Sequence, residues 1–183
     1  MPFEIEITRS DILSPRHQHF VEEWSRTYFD PAAVSGDLRK ATVHWRFFLS
    51  SSDELVSHVA LTEYLILLDG RPEYVGAIGW LFTKRDEMGK GHATRLLDEA
   101  ESFIFERLAF RFGILFCLPA LVPFYARRGW MQLRIPVTLE QRHGIATWSE
   151  AAMILSRGND VSPDPLVHVP IQPRARVTLD PRE

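Results

Sequence analysis

The sequence predicts an α+β (mixed α/β) domain, a sheet flanked by helices. Three observations carry this expectation: apolar and polar residues alternate with a period of two in several stretches, apolar residues recur at helical spacing in two others, and a strand, glycine loop and helix follow one another mid-chain. With 183 residues, of which 45% are hydrophobic and 25% charged, the chain can bury one core of its own. We expect one domain over residues 1–158 and a proline-rich tail over 159–183.

Phe3, Ile5 and Ile7 alternate with Glu4 and Glu6, the pattern of a half-buried strand. From Pro15 to Phe29 the residues Phe20, Val21, Trp24 and Tyr28 share helical spacing, with Ser14 as N-cap and Pro15 in the first turn. A strand follows over Val43–Leu49, where Val43, Trp45 and Phe47 alternate with His44 and Arg46. Asp69-Gly70-Arg71-Pro72 has turn chemistry and joins Val56–Leu68 to Tyr74–Thr83 as a hairpin. The second arm is apolar on both faces, as a central strand is. Its Gly76 and Gly79 either weaken it or leave room for something close to the backbone.

After the charged link Lys84-Arg85-Asp86-Glu87 comes Met88-Gly89-Lys90-Gly91-His92-Ala93, then a helix with the stripe Ala93, Leu96, Leu97, Ala100 and Ile104. Phe112–Leu118 reads as a strand ended by Pro119, and Val122–Arg128 as helical turns stopped by Gly129. Two closing strands are expected around Trp130–Leu139 and Trp148–Leu155. Beyond Gly158, Pro163, Pro165, Pro170, Pro173 and Pro181 predict an extended tail.

Composition removes several functions. Lys and Arg total 21 against 24 Asp and Glu, a net charge of −3, so there is no overall field for a polyanion and no nucleic-acid partner is expected. Cys117, the single cysteine, excludes an internal disulfide and an all-cysteine zinc site. His17 and His19 stand two apart on a helix and point in different directions, so no metal is expected. The start lacks the basic patch and apolar run of a secretory signal, and no apolar run reaches the roughly 18 residues of a membrane helix. The expectation is a cytoplasmic protein without a membrane partner.

Chemistry enters at Met88–Ala93. A glycine loop running into a helix presents unpaired backbone N–H groups at the positive end of the helix dipole, where phosphate oxygens bind. A Walker-type loop is excluded because His92, not Lys, follows Gly91, and a dinucleotide fingerprint fails because Thr94 takes the place of its third glycine. On the residues alone, a bland tight turn remains open.

The stretch from Tyr74 through Trp130 resembles the cofactor-binding half of the GNAT superfamily of N-acetyltransferases. Gly89-Lys90-Gly91 and Ala93 match its strand, Arg/Gln-x-x-Gly-x-Gly/Ala loop and amphipathic helix, with Met88 in place of the usual Arg or Gln. Phe124-Tyr125-Ala126-Arg127-Arg128-Gly129-Trp130 is similar to the family's second signature. The resemblance implies the acyl-CoA N-acyltransferase fold, with a central mixed, mostly antiparallel twisted sheet. It also implies acetyl-CoA as co-substrate. The cofactor-binding residues would be Trp80, Leu81 and Phe82 for pantetheine and Met88, Gly89, Lys90, Gly91, His92, Ala93 and Thr94 around the diphosphate, chiefly through backbone amides. The central strand and that near Phe112–Leu118 would splay apart to hold the thioester.

By this resemblance Tyr125 would be catalytic, protonating or hydrogen-bonding the departing thiolate, while a neutral amine attacks the thioester directly; on the residues alone it is equally a tyrosine packed at a helix end. Cys117 is then a small core residue. Glu63, Glu73 and His58 are either the candidate bases or exposed strand residues, since the acidic residue many family members carry on the strand of Gly76 is missing here. Lys84, Arg85, Lys90 and Arg95 either meet CoA phosphates or form a solvated face. Trp24, Trp45 and Trp148 either line an acceptor pocket or belong to the core. The layout after Trp130 is loosely similar to the aminoglycoside 2′-N-acetyltransferase branch, for which Glu22, Glu23, Asp30 and Asp37 would supply an acidic pocket. Two functions stay open: an N-acetyltransferase acting on a small-molecule amine, with a homodimer allowed, and a non-catalytic CoA-binding sensor.

Overall fold

The computed structural model describes residues 3–28, 42–141, 144–158 and 164–170. Phe29, Asp30, Asp37, Pro163, Pro173 and Pro181 lie outside them. The elements are β1 (Phe3–Arg9), α1 (Pro15–Tyr28), β2 (Trp45–Ser51), β3 (Glu54–Leu68), β4 (Arg71–Thr83), α2 (His92–Ser102), β5 (Phe112–Cys117), α3 (Val122–Ala126), β6 (Met131–Gln132), β7 (Thr138–Gln141), β8 (Gly144–Thr147), β9 (Ala151–Ser156) and β10 (Val167–Val169).

Local chemistry explains where they begin and turn. The Ser14 hydroxyl accepts the His17 N–H at 3.3 Å and its carbonyl the Gln18 N–H at 3.0 Å, so Ser14 caps α1. Asp69 and Gly70, at φ +50° and +77°, make the two-residue turn between β3 and β4, which needs a positive φ at both positions to match strand twist. Residues Phe103–Arg107 extend α2 as one π-helical turn.

Among the described residues the ten strands form one sheet, ordered β6-β9-β5-β4-β3-β10-β7-β8, with the β1–β2 ribbon also joined to β3. The pairs β4–β5 and β10–β7 are parallel and the others antiparallel. The long strand β3 pairs with β2 over Glu54–Leu61 and with β10 at Leu67 and Leu68.

The expected closing pair of strands is four. The segment expected over Trp130–Leu139 is broken into β6 and β7, with Pro136, which has no N–H to give a ladder, between them. Trp148 lies between β8 and β9, and Val167–Val169 of the expected tail joins the sheet as β10. No helix among the described residues is long and apolar enough to cross a membrane.

The largest core cluster lies under α2: Leu96, Leu97, Ala100 and Ile104 pack with Phe47, Leu49, Val59, Leu61, Ile78, Leu115 and Met153. On the opposite face α1 lays Phe20 and Trp24 over Phe48, Leu55 and Phe82. A third cluster around Ile66, Val75, Phe112, Ile114 and Ile154 fills the remainder of that side. Gly76 lets α2 approach: a Cβ there would stand 2.4 Å from Ile104 Cγ1. The protein's own side chain thus accounts for this glycine.

Candidate active site

The site begins where β4 leaves β5. The last register pair of their parallel ladder is Ile78–Leu115, whereas β4 runs on to Thr83 and β5 to Cys117. Beyond that pair the two central strands no longer share backbone hydrogen bonds. On the other side β4 stays bound to β3 through a bulge: Ala60 faces Gly79 and His58 faces Phe82, so Val59 opposes both Trp80 and Leu81. Trp80 takes φ +53°.

The extra residue resets the alternation, so Ile78 and Leu81 both pack toward α2 while Trp80 and Phe82 pack toward α1. A Cβ on Gly79 would meet nothing within 4 Å. The two strand glycines therefore differ, Gly76 filled by Ile104 and Gly79 open at the mouth of the parting.

The loop after β4 has the geometry of an anion cradle. Gly89 and Gly91 take φ +79° and +83°, with nothing within 4 Å of a Cβ at either. Only glycine adopts these angles without strain. The first helical hydrogen bond of α2 runs from the Arg95 N–H to the Gly91 carbonyl at 3.1 Å, so the N–H groups up to Thr94 have no acceptor within the helix. Met88 is 55% exposed; Gly89, Lys90, Gly91 and Thr94 are exposed, Ala93 half-buried and His92 buried. This donor set and open space fit a diphosphate group.

Glu87 closes the loop from behind. Its carboxylate accepts Lys90 Nζ at 2.7 Å and faces His92 Nε2 at 3.0 Å, and those partners hold it below the usual carboxylate range. His92 is thereby a structural residue at the helix start. Of the other cations expected near phosphate, Lys84 pairs with Glu54 and Arg95 lies over the Phe3 ring.

Tyr125 sits in the core cluster that also holds Cys117, Leu115 and Trp130, with Leu81 packed against it. That cluster connects the end of β4 beyond the bulge to the tyrosine on α3. Burial pushes the phenol up to about 12, so it stays protonated throughout the neutral range. Its turn is tied to α2 by Glu101, which accepts the Trp130 indole N–H at 2.9 Å and the Arg128 guanidinium at 3.2 and 2.9 Å. Asp98 takes a further Arg128 hydrogen bond at 2.7 Å. The stripe of α2 did not single out Glu101 or Asp98, because their spacing reads as an ordinary polar face.

Burial raises the Cys117 thiol above its ordinary value, consistent with a core residue and not a thiolate nucleophile. Among the candidate bases, His58 is 1% exposed and held down to about 3 by burial and by the Arg46 guanidinium. It is neither an exposed strand residue nor a base at neutral pH. Glu73 pairs with Arg111 at 3.0 Å near the start of β4. Glu63 accepts the Trp45 indole N–H at 3.0 Å.

Trp24 and Trp45 are core, and Trp148 is half-buried against Phe116. Glu22 and Glu23 are exposed on α1, beside Arg26 and His19 of the same helix, whereas Asp30 and Asp37 lie outside the described residues. His17 is buried against Phe48 and His19 is exposed.

An acetyltransferase (GNAT) domain model matches residues 17–133, well over half of the chain. The chain belongs to the GNAT acetyltransferase family and has its acyl-CoA N-acyltransferase fold. No curated protein matches the sequence. Among solved structures, YhbS of Escherichia coli in complex with CoA superposes with a TM-score of 0.61 at 16% identity, over 91% of this chain and 89% of that one. ElaA of Escherichia coli gives 0.59 at 14% identity, over 84% and 99%. A GNAT family acetyltransferase of Brucella melitensis in complex with acetyl-CoA gives 0.55 at 16% identity, over 90% and 94%.

Proposed function

We propose that the protein transfers an acetyl group from acetyl-CoA to the primary amine of a small molecule. The observation that carries this reading is the parting of β4 from β5 after Ile78–Leu115 with Gly79 open at its mouth. The N–H groups of Gly89, Lys90, Gly91 and Ala93 would hold the diphosphate, as helix starts hold anions. The backbone of Trp80, Leu81 and Phe82 would bond the amides of pantetheine as a further strand would. Acetyl-CoA supplies an activated thioester, and the chain orients it.

In this account the amine attacks directly and Tyr125 gives its proton to the departing sulfur. A phenol held up to about 12 remains a donor at every working pH, and the developing negative charge on the sulfur makes the sulfur the better acceptor for its proton. Glu63 is the base candidate left by the geometry, since both ring nitrogens of buried His58 are engaged, by the Trp80 carbonyl and Arg46, and Glu73 is engaged by Arg111.

The test is thiol release from acetyl-CoA with a panel of amines that includes amino acids, polyamines and aminoglycosides. Release should depend on an amine and fall sharply in Tyr125→Phe. Tight CoA binding without release on any amine would instead identify a binding module.

A further inference from the structure

His58 is buried on the α1 face of the sheet, between Phe48 at 4.9 Å and Phe82 at 5.4 Å. Its two ring nitrogens have fixed partners: Nδ1 lies 3.0 Å from the Trp80 carbonyl oxygen and Nε2 lies 3.1 Å from Arg46 Nη1. A carbonyl cannot donate and a guanidinium cannot accept, so Nδ1 carries the proton and Nε2 the lone pair. The imidazole is thus neutral and in one tautomer. The carbonyl it holds belongs to the bulge residue at φ +53°, a left-handed backbone that a non-glycine residue keeps only when its surroundings impose it.

The peptide linking Trp80 to Leu81 is planar and trans, as no cis bond occurs among the described residues. In such a unit the C=O and the following N–H point in opposite directions. Anchoring the Trp80 oxygen to the imidazole, on the β3 side, therefore turns the Leu81 N–H away from β3 and toward the side that β5 has left. We infer that His58 is a positioning residue for the acyl-donor groove: it holds the Trp80 carbonyl and so aims the Leu81 N–H at an amide or thioester oxygen lying between β4 and β5. Arg46 assists by donating to Nε2, which keeps the proton on Nδ1. The inference rests on the reading of this gap as the donor groove.

Two substitutions separate the roles of the two nitrogens. His58→Asn places an amide N–H near the position of Nδ1 and keeps the bond to Trp80; His58→Gln reaches toward Nε2 and loses it. CoA affinity is measured by calorimetry and the acetyl-CoA KM by thiol release, with thermal melts of each variant. We expect His58→Gln to bind CoA about tenfold more weakly, the equivalent of one hydrogen bond, with a parallel rise in acetyl-CoA KM and an unchanged amine KM. His58→Asn should bind within twofold of the native protein even where its melting temperature falls.

The 15N spectrum of the native imidazole needs no variant and should show Nδ1 protonated and Nε2 not. Equal CoA affinity in native protein, Gln and Asn variants would overturn the inference, as would a proton on Nε2. Absence of CoA binding by the native protein would instead remove the groove reading on which it stands.

Discussion

The two glycines of β4 offer a contrast that can be measured. At Gly76 a methyl group would lie 2.4, 2.7 and 3.2 Å from Cγ1, Cδ1 and Cγ2 of Ile104, whereas carbon atoms settle at roughly 3.5–4.0 Å. Ile104 is fully buried, so its branched side chain has no solvent to retreat into. Overpacking of this kind costs about 1–3 kcal/mol. For a chain of this size each kcal/mol moves Tm by about 2–4 °C, which gives a fall of roughly 2–12 °C for Gly76→Ala.

At Gly79 a methyl group meets nothing within 4 Å and φ is not in the left-handed region. Gly79→Val should therefore leave Tm within about 2 °C of the native value, the gain in chain stiffness being below about 1 kcal/mol. Its side chain would project where the donor is proposed to lie, so CoA affinity should fall at least about tenfold, the equivalent of roughly 1.4 kcal/mol. Differential scanning fluorimetry and calorimetric titration with CoA read the two effects separately. Unchanged CoA affinity in Gly79→Val, or a thermal loss as large as that of Gly76→Ala, would refute the reasoning.

Three further outcomes follow from the same geometry. Tyr125→Phe should lower kcat by about 100-fold or more with acetyl-CoA KM within threefold; a kcat within twofold of native would remove the proposed acid. Glu101→Ala leaves the Arg128 cation and the Trp130 indole without their shared acceptor, so urea denaturation should show a loss of about 2–3 kcal/mol, and a loss below about 0.5 kcal/mol would contradict the tie. His58 is depressed to about 3 by burial and by Arg46, so between that value and 6.5 the unfolded chain binds the extra proton. Stability from this group is complete above pH 6.5 and is lost toward pH 3 at up to about 1.4 kcal/mol per pH unit. Denaturation across that range should be less steep in pH for His58→Asn.

Much of this was legible in the sequence because it is local. The alternation of Phe3, Ile5 and Ile7, the Ser14 cap and the Asp69-Gly70 turn each depend on neighbours along the chain. Gly89 and Gly91 are likewise visible as a glycine loop running into a helix. What stayed hidden depends on groups far apart in sequence. Nothing local distinguishes Gly76 from Gly79, because the difference is made by Ile104 on α2.

His58 read as a strand residue, and its burial follows from Phe48, Phe82 and Arg46 on two other strands. The bulge at Trp80 resets the side-chain phase of β4, which no period-two reading reveals. Glu101 looks like any carboxylate on a polar helix face until Arg128 and Trp130 fold back onto it. β10 was missed because three residues between prolines carry too little pattern to be seen.

The central claim is that the coenzyme enters the gap left by β5, with its diphosphate on the loop before α2. A crystal structure of the protein grown with CoA tests it most directly. Diphosphate oxygens should lie within hydrogen-bonding distance of the N–H groups of Gly89, Gly91 and Ala93, and the thiol beside Gly79. Coenzyme bound elsewhere, or a continuous β4–β5 ladder running past Ile78 and Leu115, would contradict it.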